Sequence, residues 1–126
     1  MLKDRSSSAI LAVSDLARAR DFYERTLGFE AEDAQEDEVV SYRSGETRFT
    51  VYRSEFAGSN KANAITFQMD GDLEAVVADL KAKGVRFEHY DLPGLTLDGD
   101  IHRAGGAGLV WFKDPDGNIL HLIDGM

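Results

Sequence analysis

The side chains with chemistry to offer are few, and most lie in the second half of the chain. The histidines are His89, His102 and His121. A neutral imidazole donates and accepts hydrogen bonds, ligates metals and moves protons near pH 7. A cluster of all three is conceivable, but no close spacing such as His-x-x-x-His joins them. The plainer reading makes His89 and His102 exposed strand-end or loop residues. Cysteine is absent. That excludes a disulfide framework, a thiolate nucleophile and cysteine-ligated zinc or iron–sulfur centres. Trp111 could stack on a planar ligand, although a lone tryptophan in a strand is more often core. Arg48 and Arg53 could pair with a carboxylate; solvated surface arginines are the simpler reading. Gly105-Gly106 is not a phosphate loop, because no strand-to-helix context follows it; it reads as a flexible point in a loop. Asp114-Pro115-Asp116-Gly117 is too short for a calcium loop and reads as a turn.

Composition narrows the partners. A chain of 126 residues, 43% apolar and 29% charged, suits one globular domain with a core of its own. The formal charge is −9. The basic residues are scattered, and Arg18, Arg20 and Arg25 are mixed with Asp21 and Glu24. A phosphate backbone would be repelled, so no nucleic-acid partner is expected, and cationic ligands are weakly favoured over anionic ones. The start, Met1 to Ser8, is polar and lacks a signal-peptide core. No apolar run reaches membrane-spanning length. The expectation is a complete cytoplasmic protein without a membrane partner.

The elements that must position these residues follow from periodicity. Ser8 to Val13 is a short apolar run of strand length. Ser14-Asp15 offers an N-cap, Leu16, Ala19, Phe22, Tyr23 and Leu27 recur at helical spacing, and Gly28 supplies a stop. The spacing predicts a helix over residues 15–27. Strands are predicted at 29–32, 39–43 and 48–53, with a polar turn from Gln35 to Glu38 and a tight one at Ser44-Gly45-Glu46. In the last strand Phe49 and Val51 share one face, and Thr50 and Tyr52 the other. A polar stretch follows from Ser54 to Asn63. Ala64 to Met69 then reads as strand. Asp70-Gly71-Asp72 caps a helix carrying Leu73, Val76, Val77 and Leu80, and Gly84 ends it. Val85 to Tyr90 is a strand, Leu92 to Ala107 a long loop over the cleft, and 108–113 and 119–123 a closing hairpin.

Each half therefore reads β-α-β-β-β, and the two openings, AILAVSDLARARDFYERTLGFE and AITFQMDGDLEAVVADLKAKGVRFE, are alike in layout. One such unit makes a curved four-stranded sheet with a helix on one face. Its other face is concave and needs a partner. Two units side by side form an incomplete β-barrel around a cleft, where small ligands bind. The expected fold class is α+β. It is a single domain over 1–126, with a first module at about 6–54, a linker at about 55–62 and a second module at about 63–126. A ferredoxin-like sandwich would need β-α-β-β-α-β order and would leave strands unexplained.

Two motifs then meet a known pattern. Residues 14–30, SDLARARDFYERTLGFE, and 111–124, WFKDPDGNILHLID, resemble the opening helix and closing hairpin of the vicinal oxygen chelate superfamily. This is the superfamily of glyoxalases, bleomycin-resistance proteins and extradiol dioxygenases. The likeness covers nearly the whole chain, with 54–63 and 92–107 least constrained. It implies a metal site of four residues, usually His and Glu, one from the first and last strand of each module. The matching positions here are Ser8, then Thr50 or Tyr52, then Ala64 (Asn63 if the register slips by one), and His121. Only one carries an ordinary ligand, whereas tight sites use three or four. No metal or other cofactor is therefore expected; Fe, Mn, Ni or Zn would enter only on a different register.

Leu120 and Leu122 should face the helix layer, which aims His121 at the cleft. The expected ligand contacts are Ser8, Thr50, Tyr52, Trp111 and His121. The expected function is metal-independent binding of a small aromatic or cationic molecule, in a homodimer as the family commonly forms. The alternatives are a lyase, isomerase or dioxygenase type of enzyme, metal-free with His121 as acid or base and Tyr52 as partner, or metal-dependent at a non-standard site, and a degenerate protein-interaction module.

Overall fold

The computed structural model describes residues 2–35 and 37–125. The Asp15 cap forms as its position requires: its carboxylate accepts the Arg18 N–H at 3.1 Å. The helix α1 behind it runs over Leu16–Arg20 and continues as a wider, π-type turn over Asp21–Thr26. There the Leu27 N–H reaches back to the Phe22 carbonyl. Gly28, at φ +85°, ends it in a conformation that a side chain would oppose.

The first unit holds α1 and the strands β1 (Ala9–Val13), β2 (Ala31–Gln35), β3 (Val39–Ser44) and β4 (Thr47–Arg53). The sheet order is β1-β4-β3-β2, with β1 parallel to β4 and the other pairs antiparallel. Strand alternation puts Leu11, Val13, Val40, Tyr42, Phe49 and Val51 on one face, all buried with Leu16, Ala19 and Tyr23 of the helix. Tyr23 anchors the contact, its ring 5.9 Å from Tyr42 and 5.8 Å from Phe49. The first strand after the helix lies two residues later than expected and runs to Gln35. The turn expected at 35–38 falls partly on Glu36, outside the described residues.

The second unit begins after Ser59. It contains β5 (Asn63–Gln68), α2 (Leu73–Ala82), β6 (Phe87–Glu88), β7 (Thr96–Asp98), β8 (Ile101–Ala104), β9 (Ala107–Lys113) and β10 (Ile119–Asp124). Its sheet runs β5-β10-β9-β8-β7, with β5 parallel to β10 and β6 paired to β9. The long loop expected over 92–107 is therefore corrected, because it holds the β7–β8 hairpin. Gly99 (φ +63°) turns that hairpin, and Gly105 (φ +60°) turns the next one, between β8 and β9. The strand expected over 85–90 shrinks for the same reason. One edge of β9 is shared, β8 taking residues 107–109 and β6 only 111–112.

The cap of α2 also differs from expectation. Asp72 sits at the N-cap position but makes no side-chain bond to the helix. Its carboxylate accepts the Asp70 N–H instead, and Gly71 N–H is taken by Asp124.

Candidate functional site

In the second unit α2 lies on the face that carries Val110, Phe112, Leu120 and Leu122. A Cβ on Gly108, on that face, would stand 2.9 Å from the Leu73 side chain. Alternation sends the neighbours to the opposite face. There His121 pairs across the sheet with Trp111 on one side and Thr66 on the other, and Glu88 pairs with Trp111. The reading of Leu120 and Leu122 as helix-facing and His121 as opposite to them holds in this geometry.

His121 is fixed on two sides. Its Nδ1 lies 3.0 Å from the Val110 carbonyl. A carbonyl only accepts, so Nδ1 carries the hydrogen, and in the neutral ring Nε2 keeps its lone pair. Nε2 makes no hydrogen bond among the described residues. The ring stacks on Trp111 with centroids 4.6 Å apart and planes 14° from parallel. Burial of the ring disfavours the charged form and lowers its pKa, against a smaller opposing pull from the Val110 carbonyl. Burial therefore favours the neutral imidazole over the charged ring.

Trp111 is held in turn. Its ring meets His102 edge-on at 4.9 Å and Tyr90 at 5.3 Å. His102 is almost fully buried, at 1% exposure, which corrects its reading as an exposed loop residue. Its Nε2 accepts the Tyr90 N–H at 3.0 Å and its Nδ1–H donates to the Leu109 carbonyl at 3.2 Å. Both nitrogens are used, so His102 is a wedge behind Trp111 and has no nitrogen left for a ligand. His89 is half-exposed and bonds Asp100 at 2.8 Å, on the carboxylate that also takes Lys81 at 2.8 Å. Those two partners, Lys81 first, hold the Asp100 carboxyl below its ordinary pKa. The conceivable three-histidine cluster does not form. Among the described residues no group of three or more His, Cys, Asp or Glu side chains is arranged to hold a metal ion.

In the first unit Ser8 is exposed just before β1. Thr50 and Tyr52 are half-buried on the face away from α1, opposite Ile10 and Ala12 of β1. Thr50 shares a hydrogen bond of 3.2 Å with Ser41. Arg48 pairs with Glu32 at 2.8 Å and Arg53 with Glu38 at 3.1 Å, as surface arginines do. A shallow groove of about 470 Å³ at the start of β2, between Phe29 and Arg43, contains none of the expected site residues. Sequence reading passed over Ser41, Thr66 and Tyr90. The first two stand on the same strand faces as Thr50 and His121, so alternation alone could have found them.

The architecture and the two motifs now have counterparts. The family model described as the Glyoxalase/Bleomycin resistance protein/Dioxygenase superfamily matches residues 5–122, and the chain belongs to that family. Its fold is the α+β fold of that family, built from open sheets with few helices. The chain is 24% identical to the virulence protein STM3117 of Salmonella typhimurium, over 97% of this chain and 85% of the relative. Among solved structures it is similar to the fosfomycin resistance protein FosX of Listeria monocytogenes in complex with Mn(II) and a dihydroxypropylphosphonic acid. That match has a TM-score of 0.75 and 17% identity, covering 98% of this chain and 91% of that one. It is also similar to lactoylglutathione lyase from Agrobacterium tumefaciens, at TM-score 0.70 and 20% identity, covering 97% and 94%. Among the described residues no helix is long and apolar enough to cross a membrane.

Proposed function

We propose that the protein binds a small molecule of aromatic or cationic character without a metal ion, and that His121 and Trp111 are its principal contacts in the second unit. One observation carries this reading: a buried imidazole is locked between the Val110 carbonyl and the Trp111 ring, with Nε2 left unbonded on the helix-free face. A histidine serving only as filler would have both nitrogens occupied, as His102 has. The first unit offers Ser8, Thr50 and Tyr52 as candidate contacts of its own. The acidic balance of the chain supports a cationic ligand over an anionic one. Cytoplasmic location and a homodimer belong to the same proposal.

The FosX structure holds Mn(II), so the fit of such an ion here matters. The four family positions offer one imidazole, hydroxyls and an alanine or asparagine. That donor set does not fit a divalent ion, which needs three or four good ligands. A second reading has one observation in its favour. A fixed Nδ1–H tautomer with a free Nε2 is the form of histidine that acts as a general base, so a metal-free enzyme acting on a hydroxylated or carbonyl substrate is the alternative.

The test is elemental analysis by mass spectrometry of untagged protein, before and after incubation with Mn, Fe, Ni and Zn salts, followed by a small-molecule thermal-shift screen. The expected result is substoichiometric metal throughout and stabilisation by ligands that His121→Ala abolishes. Stoichiometric metal would overturn the metal-free reading. Ligands that stabilise the His121→Ala variant equally would remove His121 from the site.

A further inference from the structure

The geometry points to a specific ligand polarity at this face: the group that meets His121 is a hydrogen-bond donor, such as a hydroxyl, amine or ammonium, and not an anion. The inference rests on reading the His121–Trp111 face as the binding surface. It goes further by naming the ligand chemistry that the face accepts and the chemistry it rejects.

The argument begins with the backbone. The Val110 carbonyl has no hydrogen to give, so at 3.0 Å it requires Nδ1–H. A half-turn of the ring would replace that N–H with a carbon and lose the bond. The stack on Trp111, with planes only 14° apart, opposes intermediate tilts. His102 and Tyr90, edge-on to the indole, hold Trp111 itself in place. In the neutral ring, which burial favours, these restraints leave Nε2 as a lone pair with a fixed direction.

A carboxylate or phosphonate at Nε2 would set lone pair against lone pair. A hydroxyl or ammonium would be met by a ready acceptor. Among the described residues, the strand neighbours of the ring supply no free cation. Thr66 is uncharged, and Lys113, further along the same face, is engaged by Glu88 at 3.4 Å. Indole and imidazole faces also favour a cationic or aromatic neighbour.

The experiment uses the intact chain and three probes that differ only in their polar head: benzyl alcohol, benzylamine and benzoate. The chain has a single tryptophan, so its fluorescence reports on Trp111 alone. In protein labelled with ¹⁵N-histidine, long-range proton–nitrogen spectra near neutral pH should show Nδ1 protonated and Nε2 bare before any probe is added. Benzyl alcohol and benzylamine should then shift the Nε2 resonance and the fluorescence. Benzoate should bind about tenfold more weakly or worse, as expected when a hydrogen bond is replaced by an unmatched acceptor pair.

His121→Phe keeps a flat ring on Trp111 and removes the acceptor, so the advantage of benzyl alcohol and benzylamine over benzoate should shrink to what the chain's acidity and the indole face alone impose. If that variant does not fold, the tautomer of the native protein still decides the matter. An Nε2–H tautomer, or benzoate binding as tightly as benzyl alcohol, would overturn the inference while leaving the face a binding surface. No response at Trp111 or His121 to any probe would overturn the binding surface itself, and the inference with it.

Discussion

Whether an imidazole acts as base, ligand contact or wall depends on which nitrogen keeps its hydrogen. Two histidines in the second unit share the Nδ1–H form, yet one spends Nε2 on the Tyr90 backbone and the other does not. Burial depresses the His121 pKa, so the folded state binds its proton less readily than the unfolded chain does. The stabilising difference is therefore full above the ordinary value of 6.5 and is lost as pH falls below it. Urea unfolding measured across that range should show stability declining toward acid. His121→Phe, with nothing to titrate, should flatten part of the slope. An unchanged slope would mean that the ring is solvated. A second residue-scale prediction concerns Tyr42, whose buried hydroxyl donates to Glu24 at 2.9 Å while Arg20 holds the same carboxylate at 2.7 Å. Arg20 first, then the Tyr42 hydroxyl, lowers the Glu24 pKa against the opposing cost of burial. Its contribution is present above the ordinary 4.5 and is lost as acid protonates it. Tyr42→Phe should cost about 1.5–3 kcal/mol in urea unfolding at neutral pH, the value of a hydrogen bond to a charged group.

Elements were legible where local chemistry decides them and obscure where a distant strand does. The helix from Asp15 to Gly28 was readable because cap, period and stop all lie within it. The turn at Asp114-Pro115-Asp116-Gly117 was equally plain, and the structure shows what holds it. One Asp114 oxygen accepts the N–H groups of Asp116 and Asn118 at 2.9 Å each, and the other accepts the Asn118 side-chain amide at 2.8 Å. Asp114→Ala would strip three donors of that acceptor in the turn that leads, five residues on, into β10 at Ile119. The expected loss is about 2–4 kcal/mol by thermal or urea unfolding. Asp114→Asn, which keeps one oxygen, should lose less. By contrast, the β7–β8 hairpin was missed. The Asp98-Gly99 turn signal was present, but flanking strands of three and four residues carry too little periodicity to stand out. That omission also hid His102, whose burial depends on β8 lying against β9. The shortness of β6 was unreadable for a related reason, since nothing in Val85 to Tyr90 says that another strand already occupies the rest of the β9 edge.

At the scale of the whole molecule, family membership settles the architecture and leaves the chemistry to the residues. The similar structures include a Mn(II)-bound resistance protein and a lyase, on a fold that this chain shares, while the positions that the resemblance matches to the family's ligands carry Ser8, Thr50 or Tyr52, Ala64 or Asn63, and His121. The same reading of the surface bears on assembly. Ile10 lies on β1, an edge strand of the first sheet, and is 63% exposed while its neighbour Leu11 is buried. An apolar side chain exposed on the helix-free face of an edge strand invites association unless another surface covers it. With a net charge of −9 opposing indiscriminate association, a defined homodimer is the expected cover. Sedimentation equilibrium of the native chain should return twice its 13.9 kDa mass. Ile10→Asp places a charge on that edge without touching the buried face of β1, so it should shift the distribution toward monomer with little change in thermal stability of the monomeric form. A native protein that stays monomeric at every concentration would remove the dimer. A dimer indifferent to Ile10→Asp would place its interface on another surface.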